Sequence, residues 1–380
     1  MADRRGVLFA VAASVVAGGG LLLGLWLGRR REQTRDRPRI GLLDCVGDTP
    51  LVELTSLSEA LGRRVFAKLE MQNVGGTSKD RAARQILLDA MADGRLQRGQ
   101  TVYEGSAGST GISLALLCKA LGLKTHICLP SDMAVEKVQL LQCLGATVER
   151  VPPAAFADPE HFCNVAQRRA AADPNGFFAD QFDNLSNCRA HYATTGPELW
   201  RQMDGRVDAL VVAAGTGGLA AGLSRFLKEQ DPRVSVALVD PPGSSLFLLV
   251  NSGVAFGAAE REGRRRRRQV DTLCEGIGLT GRVTANFREA RLDAAFRCSD
   301  QECVDMARFV LEREGLFIGS SSAAHLVGAV KAARRLPPGA RVVTLLCDGG
   351  WRHLSKFWNE DFLREQGLLV RTCPDLSFVE

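Results

Sequence analysis

The sequence predicts an α/β fold built on parallel sheets covered on both faces, and three observations carry that expectation. From residue 40 onward, short apolar runs alternate with amphipathic stretches in at least four strand–helix units. Two of the strands run straight into a Gly-rich loop and then a helix, EGSAGSTG at 104–111 and AAGTGGLAAG at 213–222. With 46% apolar and 24% charged residues over 380 positions, the composition is that of an ordered chain with room for a sizeable core.

The first 39 residues differ from the rest. Val7 to Gly28 is 22 uncharged, mostly apolar residues, and at about 1.5 Å per residue a helix of that length spans a hydrocarbon core of about 30 Å. A signal anchor, a cleaved secretory signal and an organelle-targeting peptide compete for this segment. The run ends in bulky LGLWLG followed by Arg29, Arg30 and Arg31 rather than in a small-x-small cleavage site, which favours an anchor. Six arginines between 29 and 39 outweigh Arg4 and Arg5, so the positive-inside rule places the larger part in the cytosol. The expected organisation is a membrane anchor with basic linker over 1–39 and a catalytic domain over 40–380, with a smaller mobile subdomain near 80–185.

Those 39 residues hold eight arginines against three acids, which accounts for the whole net charge of +5. The body carries 40 basic and 40 acidic groups and offers no electrostatic case for a nucleic-acid partner. The run Arg264 to Arg268 reads as a solvated surface insertion. Eleven scattered cysteines without a CxxC pair suit a reducing compartment. The five histidines show no HxxxH or Cys/His ligand spacing, so no metal is expected.

The units follow in order: RVFAKLEM (64–71) then KDRAARQILLDAMADG (79–94); TVYEGSA (101–107) then STGISLALLCKALG (109–122); THICLPS (125–131) then AVEKVQLLQCLG (134–145); VDALVVAA (207–214) then GLAAGLSRFLKEQ (218–230). Leu219, Leu223, Phe226 and Leu227 give the last helix one apolar face.

Both glycine loops invite an anion, because free N–H groups at a helix start attract negative charge. The 213–222 loop is the better phosphate cradle, with a tight structural turn as the bland reading. It also approximates a dinucleotide fingerprint, Gly215-x-Gly217-x-x-Ala220 with Asp240 ending the next strand, so an NAD-linked oxidoreductase is a rival. Lys79, in GGTSKDR, sits at the start of a helix, where the positive end of the dipole favours the neutral amine used in Schiff-base chemistry. A surface lysine beginning a helix is the alternative.

Taken in order, the segments GDTPLVEL (47–54), AKLEMQNVGGTSKDRAA (67–83), the 104–111 loop, DQFDNLSNCRAHYATTGPE (180–198), GTGG (215–218), VDPPGSS (239–245), CEGIG (274–278) and EGLFIGSSSAA (314–324) resemble the cysteine synthase and cystathionine β-synthase family. The resemblance covers about 40–360. It implies a fold type II (tryptophan synthase β-like) enzyme, two open parallel α/β subdomains with pyridoxal 5′-phosphate between them. It further implies β-replacement through an aminoacrylate, making cysteine from O-acetylserine and sulfide, in a homodimer. The same resemblance assigns Lys79 as the residue that binds the cofactor covalently and moves the substrate's α-proton. Gly215, Thr216, Gly217 and Gly218 hold the phosphate, and Ser321 meets the pyridine nitrogen. Ser109 faces the cofactor ring, while Ser106, Ala107, Thr110, Gln181 and Gly276 are assigned to the substrate.

Where the family loop reads TSGNTG this chain reads SAGSTG, losing an amide at Ser109, and Leu219 replaces a threonine. These departures keep a membrane-anchored pseudoenzyme, or a donor such as serine or O-acetylhomoserine, open as alternatives. With its N-terminal apolar segment, the chain looks like the fungal cysteine synthase 2 branch associated with the mitochondrial outer membrane.

Overall fold

In a computed structural model, the chain is described at residues 39, 41–106, 108–255, 272–280 and 282–380. The apolar segment 7–28, Ala107 and the arginine run 264–268 lie outside the described residues. Among the described residues, no helix is long and apolar enough to cross a membrane. Contacts divide the chain into two units, Met1–Asp44 and Cys45–Glu380; everything below concerns the second.

Among the described residues, ten strands form two sheets. The larger contains β1 (Leu51–Glu53), β2 (Arg64–Leu69), β7 (Ala209–Ala213), β8 (Ser235–Asp240), β9 (Ala294–Arg297) and β10 (Arg341–Leu346), in the order β1-β2-β10-β7-β8-β9. Only β1 is antiparallel to its neighbour. The smaller sheet is wholly parallel and contains β3 (Thr101–Gly105), β4 (Lys124–Pro130), β5 (Thr147–Val151) and β6 (Gly176–Phe178), in the order β5-β4-β3-β6.

Alternation along the strands explains why both faces are apolar. In β7, Ala209, Val211 and Ala213 enter one core while Leu210 and Val212 enter the other. β8 and β10 divide in the same way, with Val239 and Val342 on the first side and Leu238 and Val343 on the second. A strand buried on both faces reads as a continuous apolar run, which is why VDALVVAA was legible as a strand. Within the smaller sheet, Ile127 and Leu129 pack to one side and Cys128 to the other.

The helices named from sequence form at Lys79–Ala92, Ser109–Leu121, Val135–Cys143 and Gly218–Gln230. The expected strand 64–71 ends at Leu69, because Glu70–Gln72 closes a 3-10 turn. Glu70 there is drawn into a buried ion network that extended geometry would not reach. Both glycine loops lie at the carboxyl ends of parallel strands, β3 and β7, where α/β sheets open their binding crevices. None of the eleven cysteines is in a disulfide.

Candidate active site

A cavity of about 240 Å³ opens at these strand ends. Lys79, Ser106, Ser109, Thr110, Gln181, Gly215, Thr216, Gly217, Gly276 and Ser321 all line it, although they come from segments more than 200 residues apart in sequence. Gly218 stands just behind the lining, where a Cβ would overlap the side-chain amide of Asn187. Ala107 is outside the described residues.

Lys79 is held by its neighbours on both sides. Thr77 bridges to Asp348, and Ser78 N–H donates to the Cys347 carbonyl at 3.0 Å, tying the turn to the end of β10. Asp80 accepts from Gly75 N–H at 2.7 Å and from Ser113 Oγ at 2.6 Å, joining the lysine's helix to the one that follows the 104–111 loop. Arg81 makes paired bonds to Glu70 (2.7 and 2.9 Å) and Glu198 (2.7 and 2.7 Å), and Lys68 adds a 3.0 Å ion pair to Glu198. Two cations and two carboxylates leave this buried cluster neutral. Burial opposes the Glu198 carboxylate, but the Arg81 hydrogen bonds and charge outweigh it and hold the group at about 2. Much of the AKLEMQNVGGTSKDR motif therefore serves to fix the start of one helix.

The amine of Lys79 is half-buried at the cavity wall. Its charge reaches His325 and His191, which burial already lowers to about 4 and about 3, so both imidazoles are neutral near pH 7. His325 Nδ1 bonds the Leu345 carbonyl at 2.8 Å and stays in that tautomer.

In the 104–111 loop the side chains expected to meet the substrate also make hydrogen bonds within the protein. Ser106 Oγ accepts the N–H groups of Gly108 (3.2 Å) and Gly111 (3.0 Å), so its hydroxyl braces the loop. Thr110 Oγ1 donates to Gln181 Oε1 at 2.5 Å, and Gln181 Nε2 donates to the Gly105 carbonyl at 2.8 Å. Both ends of the Gln181 amide are thus engaged within the protein. The groups left to face an anion are the N–H groups of Ser109 and Thr110, which have no intrahelical acceptor, and the Ser109 hydroxyl. Gly108, at φ +144°, makes the turn, and Lys137 packs against it.

The second loop is built for close backbone approach. A Cβ at Gly215 would overlap the Gly276 carbonyl oxygen, and one at Gly217 (φ +87°) would lie 2.6 Å from the Phe287 backbone. Asn187 Nδ2 donates to Thr216 Oγ1 at 2.9 Å, and Thr284 Oγ1 donates to the Thr216 carbonyl at 2.8 Å. Asn286 adds bonds to the Phe182 carbonyl (2.7 Å) and from Cys188 N–H (3.0 Å). Asn187, Thr284 and Asn286 went unrecognised in the sequence. Asn187 lay inside a quoted motif, whereas the segment holding Thr284 and Asn286 carried no distinguishing pattern. Asp240, the acid of the dinucleotide reading, is turned away: it accepts from Phe247 N–H at 2.7 Å and does not line the cavity.

Four further cavity residues were not singled out from sequence. Lys137 pairs with Glu275, and His353 Nε2 lies 3.0 Å from Asp348 Oδ2. Beside them, Glu136 accepts from Ser355 Oγ at 2.6 Å, so the helix after β4 is tied to the segment beyond β10.

Comparison with known proteins identifies the family. A family model described as "Pyridoxal-phosphate dependent enzyme" matches residues 42–348. "Cysteine synthase 2" of Schizosaccharomyces pombe is 48% identical over 351 residues, covering 90% of this chain and 89% of that protein. "Cysteine synthase 2" of Neurospora crassa is 53% identical over 332 residues, covering 84% of this chain and 73% of the relative. Among solved structures, the O-acetylserine dependent cystathionine beta-synthase from Helicobacter pylori superposes with a TM-score of 0.73 at 30% identity, covering 84% of this chain and 98% of the other. With an amine, a glycine cradle and a serine hydroxyl converging on one cavity, the chain belongs to the pyridoxal-phosphate dependent enzymes, within the cysteine synthase and cystathionine β-synthase group.

Proposed function

We propose that this chain makes cysteine from O-acetylserine and sulfide by β-replacement. The observation that carries the reading is that Lys79, the Gly215–Gly217 loop and Ser321 line a single cavity. The residues fit pyridoxal 5′-phosphate: the glycine positions at 215 and 217 leave no room for a side chain, which frees backbone N–H groups and a helix N-terminus for a phosphate. When bound, that cofactor supplies an electron sink for charge developing at a substrate's α-carbon.

The chain's own residues divide the remaining work. Lys79 presents an amine that carries the α-proton, and the backbone N–H groups of Ser109 and Thr110 orient the substrate carboxylate. Ser321 offers a neutral hydroxyl to the ring nitrogen, a weaker partner than a carboxylate, and this suits loss of a β-substituent over transamination. The segment around the smaller sheet closes over the substrate, a proposal supported by the Lys137–Glu275 and Glu136–Ser355 contacts at its rim. Purified protein given O-acetylserine and sulfide is expected to release cysteine; a cofactor-loaded protein inert towards both substrates would leave a non-catalytic role.

Two predictions concern the loops. Ser109→Asn restores an amide where a hydroxyl now stands, and one added hydrogen bond of about 1 kcal/mol corresponds to roughly fivefold tighter cofactor retention. Equilibrium dialysis against free pyridoxal phosphate measures it. Gly217→Ala places a Cβ against Phe287 at a positive φ, a strain of about 1–3 kcal/mol before the clash is counted. The purified variant is expected to lack the yellow cofactor and to melt below wild type.

The apolar segment 7–28 and the arginines behind it support anchoring in a membrane, here assigned to the mitochondrial outer membrane with the catalytic unit facing the cytosol. Resistance to carbonate extraction, with the catalytic unit open to added protease on intact organelles, is the expected result. A homodimer, as the family resemblance implies, is checked by light scattering.

A further inference from the structure

The histidine and cysteine spacing along the chain raises no expectation of a metal, yet the register of the smaller sheet assembles a set of ligands. β5 runs parallel to β4 with Glu149 opposite Cys128, and His126 lies two residues before Cys128, on the same face. His126 Nε2 is 3.0 Å from Glu149 Oε2, Cys128 Sγ is 3.8 Å from the same oxygen, and the three donor atoms all lie within 4.8 Å of one another. Bonds of about 2.0–2.3 Å at tetrahedral angles hold ligand atoms roughly 3.3–3.8 Å apart. Small side-chain rotations therefore suffice, with the two paired strands as a fixed base. Among the described residues, this is the one group of three or more His, Cys, Asp or Glu side chains that converges in this way.

The surroundings complete the picture. Tyr103, on β3 opposite His126, stacks on the imidazole at 5.0 Å and fixes its plane. Arg169 donates to Glu149 Oε1 at 2.8 Å and to Oε2 at 3.1 Å. Its side chain is 58% exposed and free to keep only Oε1, leaving Oε2 for an ion and orienting the carboxylate as an outer-sphere partner. His126 and Glu149 are each partly open to solvent, which provides a fourth position for water, while Cys128 closes the inner side.

We infer that His126, Cys128 and Glu149 bind a divalent transition-metal ion of the zinc type. A nitrogen, sulfur and oxygen donor set favours zinc over magnesium or calcium, which take oxygen ligands. On binding, a metal–sulfur bond replaces the Cys128 S–H bond and the proton passes to the buffer. None of the three residues lines the cavity that holds Lys79, so the ion has no part in the reaction. Its effect is mechanical: β5 is an edge strand whose only sheet partner is β4, and the ion pins that edge.

The test uses the full-length, cofactor-loaded protein, equilibrated with zinc at micromolar free concentration, exchanged into metal-free buffer and assayed for bound zinc. Wild type is expected to retain one zinc per chain and to melt at a higher temperature with it than without. Cys128→Ser and Glu149→Gln are each expected to weaken binding by about tenfold or more, with cofactor content unchanged. Should the buried Cys128→Ser variant fail to fold, His126→Asn, at a partly exposed position, makes the same test. Wild type that retains no zinc, or variants that retain as much as wild type, overturns the site. Because metal content is the readout, the result is independent of whether the chain makes cysteine.

Discussion

Lys79→Ala is expected to fold and to bind pyridoxal phosphate only non-covalently, with cysteine formation from O-acetylserine and sulfide lowered by about a thousandfold or more. The amine does two things that no neighbour can take over. In the proposed role it binds the cofactor covalently and holds the proton removed from the substrate; a positioned base alone contributes about 10²–10⁴ in rate. The other basic groups near it are unsuited. His325 is committed to the Leu345 carbonyl, and Lys137 is paired with Glu275. Borohydride reduction followed by peptide mapping should attach cofactor to Lys79 in wild type and to no lysine in the variant. Retained turnover in Lys79→Ala would contradict the proposed role. Stability should change little, because the Lys79 side chain is only half-buried and the helix start is held by Thr77, Ser78, Asp80 and Arg81.

The largest expected loss of stability lies two residues away. Arg81→Met removes a guanidinium that carries four short bonds to Glu70 and Glu198, leaving two buried carboxylates with Lys68 as their remaining counter-charge. Breaking a buried pair in this way costs about 3–5 kcal/mol, measurable by chemical denaturation of the holoenzyme.

The acid dependence supplies a second signature. Glu198 is held at about 2 in the fold, below its ordinary value of 4.5, so its contribution, about 3 kcal/mol, is present above that ordinary value. It is lost as pH falls from about 4.5 towards 2. In the variant the carboxylates gain by taking up protons, so the gap from wild type should narrow towards pH 4. A gap that stays constant with pH would mean that lost packing, not charge, explains the destabilisation.

Some of the site was legible because local chemistry demands particular residues at particular spacings. GGTSKDR had to be a turn running into a helix, and GTGG had to be a strand-to-helix turn, since close packing at 215 and a positive φ at 217 exclude side chains. Roles that depend on which partner a side chain meets were not legible. Ser106 and Gln181 carry hydrogen bonds that no spacing announces: one accepts loop N–H groups and the other is bonded at both ends of its amide. Asp240 read as a ribose partner, yet it accepts from the N–H of Phe247.

The sequence by itself determined the alternation of strands and helices, the two glycine loops and the lysine ahead of them. Each follows from backbone stereochemistry and from side-chain periodicity, which act over a few residues. Tertiary structure alone decided that Lys68, Glu70, Arg81 and Glu198 neutralise one another, and that Asn187 and Thr284 hold the 213–222 loop at Thr216. It also decided that His126, Cys128 and Glu149 converge. Those outcomes are set by strand order and register. A parallel pairing that shifted by one residue would turn Glu149 to the opposite face of the sheet, and nothing in the spacing of His126, Cys128 and Glu149 along the chain distinguishes the two.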